Sequence, residues 1–217
     1  MILWTLRHTK PYNPNDVCYG QTDFDVSPSF ETEFPPAIAV LREKCRAVRL
    51  YASPLKRCYK LAEKVSEALR LPIKTDDALR ELHYGSWENV KLSEVSPAEM
   101  TAWKNDLRGY RFPGGESFHD VDVRIVDFLR RIDDGSEVVA VTHAGVIAAI
   151  EHAVCGVPDS DFVEGEFPYA MVTRFDIRTS PSGTLSGTFE KLYGGIQQAS
   201  LADAIGKLGV GNLGNRD

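Results

Sequence analysis

The chain has 217 residues, 43% of them hydrophobic and 26% charged. At that length folding removes roughly 70% of the unfolded surface from water, so a full core forms without staples, which excludes a disordered chain, a collagen-like repeat and a disulfide-held miniprotein. Lys and Arg total 25 against 31 for Asp and Glu, a net charge of −6, which argues against a nucleic-acid partner and leaves room for a small anion in a local positive pocket.

In chain order, Ile2–Leu6 is a short apolar run of strand formers, closed by Arg7 and His8 and followed by a polar segment rich in Pro and Asn from Thr9 to Asp16. That pattern predicts a buried strand and then a loop. The run lacks a basic leader and is too short for an export signal, and no stretch reaches membrane-spanning length. Val48–Ser53 predicts a second strand. Leu55–Leu69 predicts a helix with Leu55, Tyr59, Ala62, Val65 and Leu69 on one face. Ser53-Pro54 reads as that helix's N-cap followed by proline at its first position. From Tyr84 to Gly115 a polar, Trp-containing piece interrupts the alternation and predicts an excursion over one edge, a small cap with a polar helix at Pro97–Leu107.

Ser117–Ile132 places Val121, Ile125, Phe128, Leu129 and Ile132 on one helical face, with Glu116 suited to complement the helix's positive end. Glu137–Thr142 holds the continuous run Val138-Val139-Ala140-Val141, typical of parallel sheets, and Ala144–Val154 follows as a mostly apolar helix. Met171–Ile177 and Thr184–Leu192 predict two further strands paired at the sheet's edge. The fold expected is α/β, a three-layer α/β/α sandwich with a mostly parallel central sheet and a small helical cap excursion. One domain spans 1–193, and 194–217 is a Gly-rich tail, either a loose extension or an intersubunit contact in a homodimer.

The cysteines Cys18, Cys45, Cys58 and Cys155 form no CxxC pair and no zinc-like spacing, so reduced thiols in a cytoplasmic protein are expected. Gly209–Gly214 fits GxGxxG by letter but follows no strand and opens no helix, so it predicts no dinucleotide site. His119 and His152 fall within helices, as packing or surface residues.

Ligands of open parallel sheets bind outside the strands' carboxyl ends. Three predicted strands run into polar residues there: Arg7-His8, Ser53-Pro54-Leu55-Lys56-Arg57, and Thr142-His143-Ala144-Gly145. Two arginines and two histidines at one end of a sheet suit phosphoryl transfer. Guanidinium forks match phosphate oxygens, and a neutral imidazole attacks phosphorus. Neighbouring cations lower the ring's pKa toward that neutral form. The leaving alcohol needs a proton donor, and Glu81 is the candidate, beside large aromatics in Glu81-Leu82-His83-Tyr84-Gly85-Ser86-Trp87-Glu88. A solvated loop glutamate is the other reading of Glu81, and Glu88 is the competing carboxylate.

These stretches, with Tyr19-Gly20-Gln21-Thr22-Asp23 and Pro113-Gly114-Gly115-Glu116-Ser117, occur in an order that resembles the histidine phosphatase superfamily, of phosphoglycerate-mutase-like fold. Thr9, where that family usually has glycine, makes the chain most similar to the α-ribazole-phosphatase-like branch. The resemblance implies that His8 is the nucleophile, that Arg7 and Arg57 clamp the phosphoryl group, that His143 donates to it, and that Glu81 is the acid and then the base. Thr9, Gln21, Thr22, His83 and Ala144 are further implied as substrate-binding positions. Asn13 and Asn15 stand slightly out of register with the family's asparagine, and Ala144 replaces a common glycine. No metal or other cofactor is implied. The partner expected is a small phosphate ester, with α-ribazole 5′-phosphate one candidate; nucleic acid and membrane are not expected. A mutase is disfavoured by the short stretch from Glu81 to His143, and a silent phospholigand-binding protein by the presence of both nucleophile and acid.

Overall fold

The computed structural model describes residues 1–158 and 166–196. Six strands form one sheet: β1 (Ile2–Arg7), β2 (Arg49–Ala52), β3 (Ile73–Thr75), β4 (Glu137–Thr142), β5 (Val172–Thr179) and β6 (Leu185–Tyr193), ordered β3-β2-β4-β1-β5-β6. β1 to β4 run parallel, while β5 is antiparallel to β1 and β6 to β5. The edge pairing predicted for the last two strands is present.

Side chains alternate across the pleat, so the continuous apolar run of β4 feeds both faces at once. Leu3, Val138 and Ala140 face a layer containing α5 (Phe118–Ile132) and α6 (Ala144–Cys155). Trp4, Leu6, Val139 and Val141 face one containing α2 (Pro35–Lys44) and α3 (Lys56–Leu69). Both clusters consist of buried residues, the three layers that the patterning predicted.

α5 buries every apolar residue assigned to its inner face. Its start is a capping box in which the Ser117 hydroxyl accepts from the Asp120 N–H and the Asp120 carboxylate accepts from the Ser117 N–H, two mutually satisfied donors. Glu116 therefore has a different job from the expected one. Its carboxylate pairs with Arg124 at 3.0 Å and accepts the His83 N–H at 2.9 Å.

α3 departs from expectation in two ways. Its N-cap is Leu55, without a side-chain bond, so Ser53-Pro54 lies ahead of the helix. Its inner face holds Arg57, Cys58, Leu61, Ala62 and Val65, and Tyr59 is 40% exposed. The buried face is thus turned relative to the expected one and includes Arg57.

Short α1 (Phe30–Glu33), α2 and β3 have no counterpart in the sequence-based reading. α2 opens on Pro35-Pro36, residues that read as loop yet are tolerated in a helix's first turn. The excursion carries single 3₁₀ turns at Gly85–Trp87 and Leu92–Glu94 and the helix α4 (Pro97–Asn105). Trp87, Trp103, Tyr110 and Phe112 stack there edge-on and tilted. Of the expected tail, Gly194 to Ile196 are described; the remainder, with the Gly209–Gly214 motif, lies outside the described residues.

Candidate active site

Register decides which strand ends meet. Arg7 is opposite Thr142, and Ala52 is opposite Val141. The next residue of each strand therefore emerges at one edge: the His8 N–H bonds Thr142 O at 2.9 Å, and the Ser53 N–H bonds Val141 O at 2.9 Å. From β1 the chain leaves toward β2, and from β4 it leaves toward β5, on opposite sides in the strand order. Neighbouring strands whose connections part in this way open a crevice at their carboxyl ends.

Into that crevice come Arg7, His8, Arg57 and His143, all buried. The His8 and His143 rings are 5.1 Å apart, edge to face. His8 Nδ1 lies 2.7 Å from Thr9 O. A carbonyl oxygen only accepts, so Nδ1 carries the ring proton and Nε2 keeps its lone pair. Burial first, then the charges of Arg57 and Arg7, hold the His8 pKa well below 6.5; burial, Arg57, His8 and Arg7 do the same to His143. Both rings are neutral at neutral pH.

His143 Nε2 meets the Ser53 hydroxyl at 2.8 Å, with the Cys58 thiol beside it at 3.4 Å. Ser53, which reads as a helix cap in the sequence, instead orients an imidazole. Cys58 donates to Thr142 O at 3.3 Å, and burial pushes its thiol pKa well above the ordinary value, which keeps it protonated at neutral pH.

Arg57 is fully buried, and its terminal nitrogens donate to Gly20 O at 2.6 Å and Thr22 O at 2.9 Å. Its Nε has no hydrogen-bond partner. Burying a cation costs several kcal/mol unless partners compensate, and here the loop carbonyls meet part of that demand. Arg7 donates to Phe167 O and packs on the Tyr169 ring, its guanidinium carbon 4.2 Å from the ring centroid.

Glu81 is 7% exposed, not the solvated loop residue of the alternative reading. Its carboxylate accepts from the Leu82 N–H at 3.0 Å and from the Gly145 N–H at 3.3 Å, in the first turn of α6. Its carbonyl accepts from Gln21 Nε2 and Arg124, each at 3.2 Å. Glu88, the competitor, is committed elsewhere: its carboxylate takes the N–H groups of Gln21, Thr22 and Tyr84 and the Thr22 hydroxyl. Those bonds outweigh burial and lower its pKa.

The weaker candidates fall around this cluster. Thr9 is fully buried, its hydroxyl has no partner, and it acts through its carbonyl. Gln21 and Thr22 brace Glu81, Glu88 and Arg57, as above. Ala144 opens α6, and the half-exposed His83 stands 4.0 Å from Glu88. Asn13 braces its own loop through Val17. Cys18, near Glu88 and Glu81, is raised to about 12 mainly by burial. His119 is exposed, and His152 bonds Val157 O.

Tyr169, Phe167, Tyr19 beside Arg57 and the contact of Ser53 with His143 have no counterpart in the sequence-based expectation. Ser53 and Tyr19 stand within quoted motifs; Phe167 and Tyr169 carry no such signal. An open depression of about 270 Å³ in the excursion is lined by Ser86, Trp87, Val90, Glu94, Val95, Ser96 and Glu99. It offers carboxylates where an anion needs cations. Among the described residues no group of three or more His, Cys, Asp or Glu is placed to hold a metal ion, and no helix is long and apolar enough to cross a membrane.

Comparison with known proteins adds three findings. Residues 3–183 match the family model described as the histidine phosphatase superfamily, branch 1. A glucosyl-3-phosphoglycerate phosphatase of Mycolicibacterium vanbaalenii is 31% identical over 167 residues, 70% of this chain and 73% of that one; phosphoserine phosphatase 1 of Hydrogenobacter thermophilus is 32% identical over 119 residues, 52% and 56%. The native structure of a mycobacterial glucosyl-3-phosphoglycerate phosphatase superposes with a TM-score of 0.77 at 25% identity, covering 90% of this chain and 99% of that one. These similarities show the superfamily and do not single out the α-ribazole-phosphatase-like branch.

Proposed function

Because the chain belongs to the histidine phosphatase superfamily (branch 1), we propose that it is a phosphomonoesterase that hydrolyses a small phosphate ester through a phosphohistidine on His8. The observation that supports this reading is the gathering of two neutral imidazoles and two guanidinium groups at one strand edge, with His8 Nδ1 protonated against Thr9 O. Nε2 attacks phosphorus as the ester P–O bond breaks, and the electron pair leaves on the alcohol oxygen. Glu81, acting as the general acid, gives that oxygen its proton. Water then attacks the phosphohistidine and loses its proton to the Glu81 carboxylate; the P–N bond breaks, restoring His8 and releasing inorganic phosphate. Arg7, Arg57 and His143 stabilise the charge that builds on the equatorial oxygens in both steps.

For the leaving group, two lines of support differ. Thr9 suggests α-ribazole 5′-phosphate, while the relatives act, by their names, on glucosyl-3-phosphoglycerate and phosphoserine. The four cysteines are all free thiols, which fits work in a reducing compartment such as the cytoplasm. The test is a phosphate-release screen over these three esters and a panel of sugar phosphates, with His8→Ala as the blank. At least one ester should yield phosphate with the native chain and none with the variant. Equal release by the variant would remove the covalent route, and phosphoryl migration without release would make the protein a mutase.

A further inference from the structure

Two tyrosines outside the set assigned above join the two arginines. The Tyr169 ring carries Arg7 on its face, with 4.2 Å between guanidinium carbon and centroid, and the Tyr19 ring faces Arg57 at 5.3 Å. The two phenol oxygens are 3.0 Å apart. An unbroken chain of contacts, guanidinium to ring to hydroxyl to hydroxyl to ring to guanidinium, thus runs between two residues far apart in sequence. The His8 imidazole lies 5.7 Å from the Tyr169 ring.

Both tyrosines are anchored independently of this bridge. Tyr169 exchanges two backbone bonds with Ile196, and the Ala170 N–H bonds His8 O at 3.2 Å. Ala170 adopts φ 58°, in the left-handed region, a conformation disfavoured for alanine that other contacts must hold in place. Tyr19 packs on Phe24, with ring centroids 5.7 Å apart.

Two guanidinium groups beside one small site repel each other until an anion arrives, and something must hold them at a fixed separation against that repulsion. A carboxylate bridge would do so only by cancelling the charge that phosphate needs. A pair of phenols avoids that conflict. Each ring face attracts one guanidinium, and the hydroxyl bond between the rings is neutral. Burial pushes the Tyr19 phenol well above its ordinary pKa, and Tyr169 adds to the shift, so that hydroxyl keeps its proton.

We propose that Tyr19 and Tyr169 are positioning residues that set the separation of Arg57 and Arg7 through their mutual hydroxyl bond, and thereby the affinity of the site for a phosphoryl group. This rests on the phosphatase reading above and adds to it two residues that act through the arginines.

The test compares Tyr19→Phe, Tyr169→Phe and the double variant with the native chain. Titration calorimetry gives the Kd for inorganic phosphate, and thermal unfolding gives Tm. Each single variant keeps its ring on its arginine and loses only the shared bond. Loss of one such hydrogen bond should weaken phosphate about three- to tenfold, with Tm within about 2 °C of native. The double variant should bind no more weakly than either single one, because both remove the same bond. Tyr169→Leu, which also removes the ring face, should bind more weakly still. Unchanged phosphate affinity in both single variants would overturn the proposal, as would losses that multiply in the double variant. Those results, with an active native chain, would leave the phosphatase reading standing. A native chain that neither binds phosphate nor releases it from any ester would overturn both.

Discussion

His8 meets unequal surroundings at its two nitrogens, and that asymmetry sets its chemistry. Nδ1 is held by Thr9 O, so the lone pair stays on Nε2 while burial and the two arginines keep the ring unprotonated. The sign of the pH dependence follows. Protonation of the free enzyme's imidazole, which would remove the nucleophile, falls below pH 6.5, so kcat/KM should hold level as pH drops through 6.5 and decline only further into acid. A profile with its acid limb at or above pH 6.5 would contradict this environment. Stability responds to the same shift. The unfolded chain takes up protons near pH 6.5 that buried His8 and His143 refuse, so the fold is fully stable above that value and weakens below it, by up to about 1.4 kcal/mol per pH unit for each histidine. Glu81 acts differently, through the leaving oxygen. Glu81→Gln should lower kcat/KM, which reports the phosphoryl-transfer step alone, roughly 10²- to 10⁴-fold for an alkyl phosphate. The loss should be far smaller for an aryl ester such as p-nitrophenyl phosphate, whose leaving group needs no proton. Equal losses for both esters would mean that Glu81 is not the proton donor.

Among the elements, α6 connects the two halves of the site. It begins just after His143, and the N–H of Gly145 in its first turn holds the Glu81 carboxylate. A helix N-terminus offers such unpaired N–H groups to an anion. Gly145 also has to be small: a Cβ there would run into Glu81 Oε1. In an ordinary helix interior, glycine to alanine gains up to about 1 kcal/mol. Gly145→Ala should instead bring no gain in Tm and reduce kcat for alkyl phosphates, because the carboxyl group is pushed from its place. A variant more stable than native and fully active would show that Glu81 has room to spare. β1 and β4 contribute through register, since a slip of one residue would turn their inward side chains to the opposite layer and part His8 from His143.

For the molecule as a whole, Arg124 links the layers behind the site. From α5 it pairs with Glu116 at 3.0 Å and donates to Ala78 O at 2.5 Å and Glu81 O at 3.2 Å. The residue that carries the acid is therefore tied to a helix packed on the sheet. Arg124→Met keeps much of the stem's packing and takes one donor each from Glu116, Ala78 O and Glu81 O, leaving Glu116 the His83 N–H and Glu81 O the Gln21 side chain. It should cost about 1–3 kcal/mol of stability. It should also lower kcat more than it raises KM, since the arginines that grip phosphate are untouched; urea unfolding and steady-state kinetics check both. A change confined to KM would detach Arg124 from the placement of Glu81.

By itself the amino-acid order determined what depends on near neighbours. The apolar runs of β1, β2 and β4, the inner face of α5, and the polar residues that end the strands are local patterns, legible because pleat and helix impose periods of 2 and 3.6. Family-like motifs extended that reading to Glu81. Only the tertiary structure decided what depends on register and packing across the sheet. It set Ser53 on His143 instead of on a helix end, turned Arg57 inward where Tyr59's face had been expected, and gave Glu88 to a loop and Glu81 to α6. It also brought Tyr169 onto Arg7 from 162 positions away. α2 went unread because its opening prolines mimic a loop, and β3 because three residues are too few to display a period. A contact between distant residues has no period at all; it exists once the strands have chosen their partners.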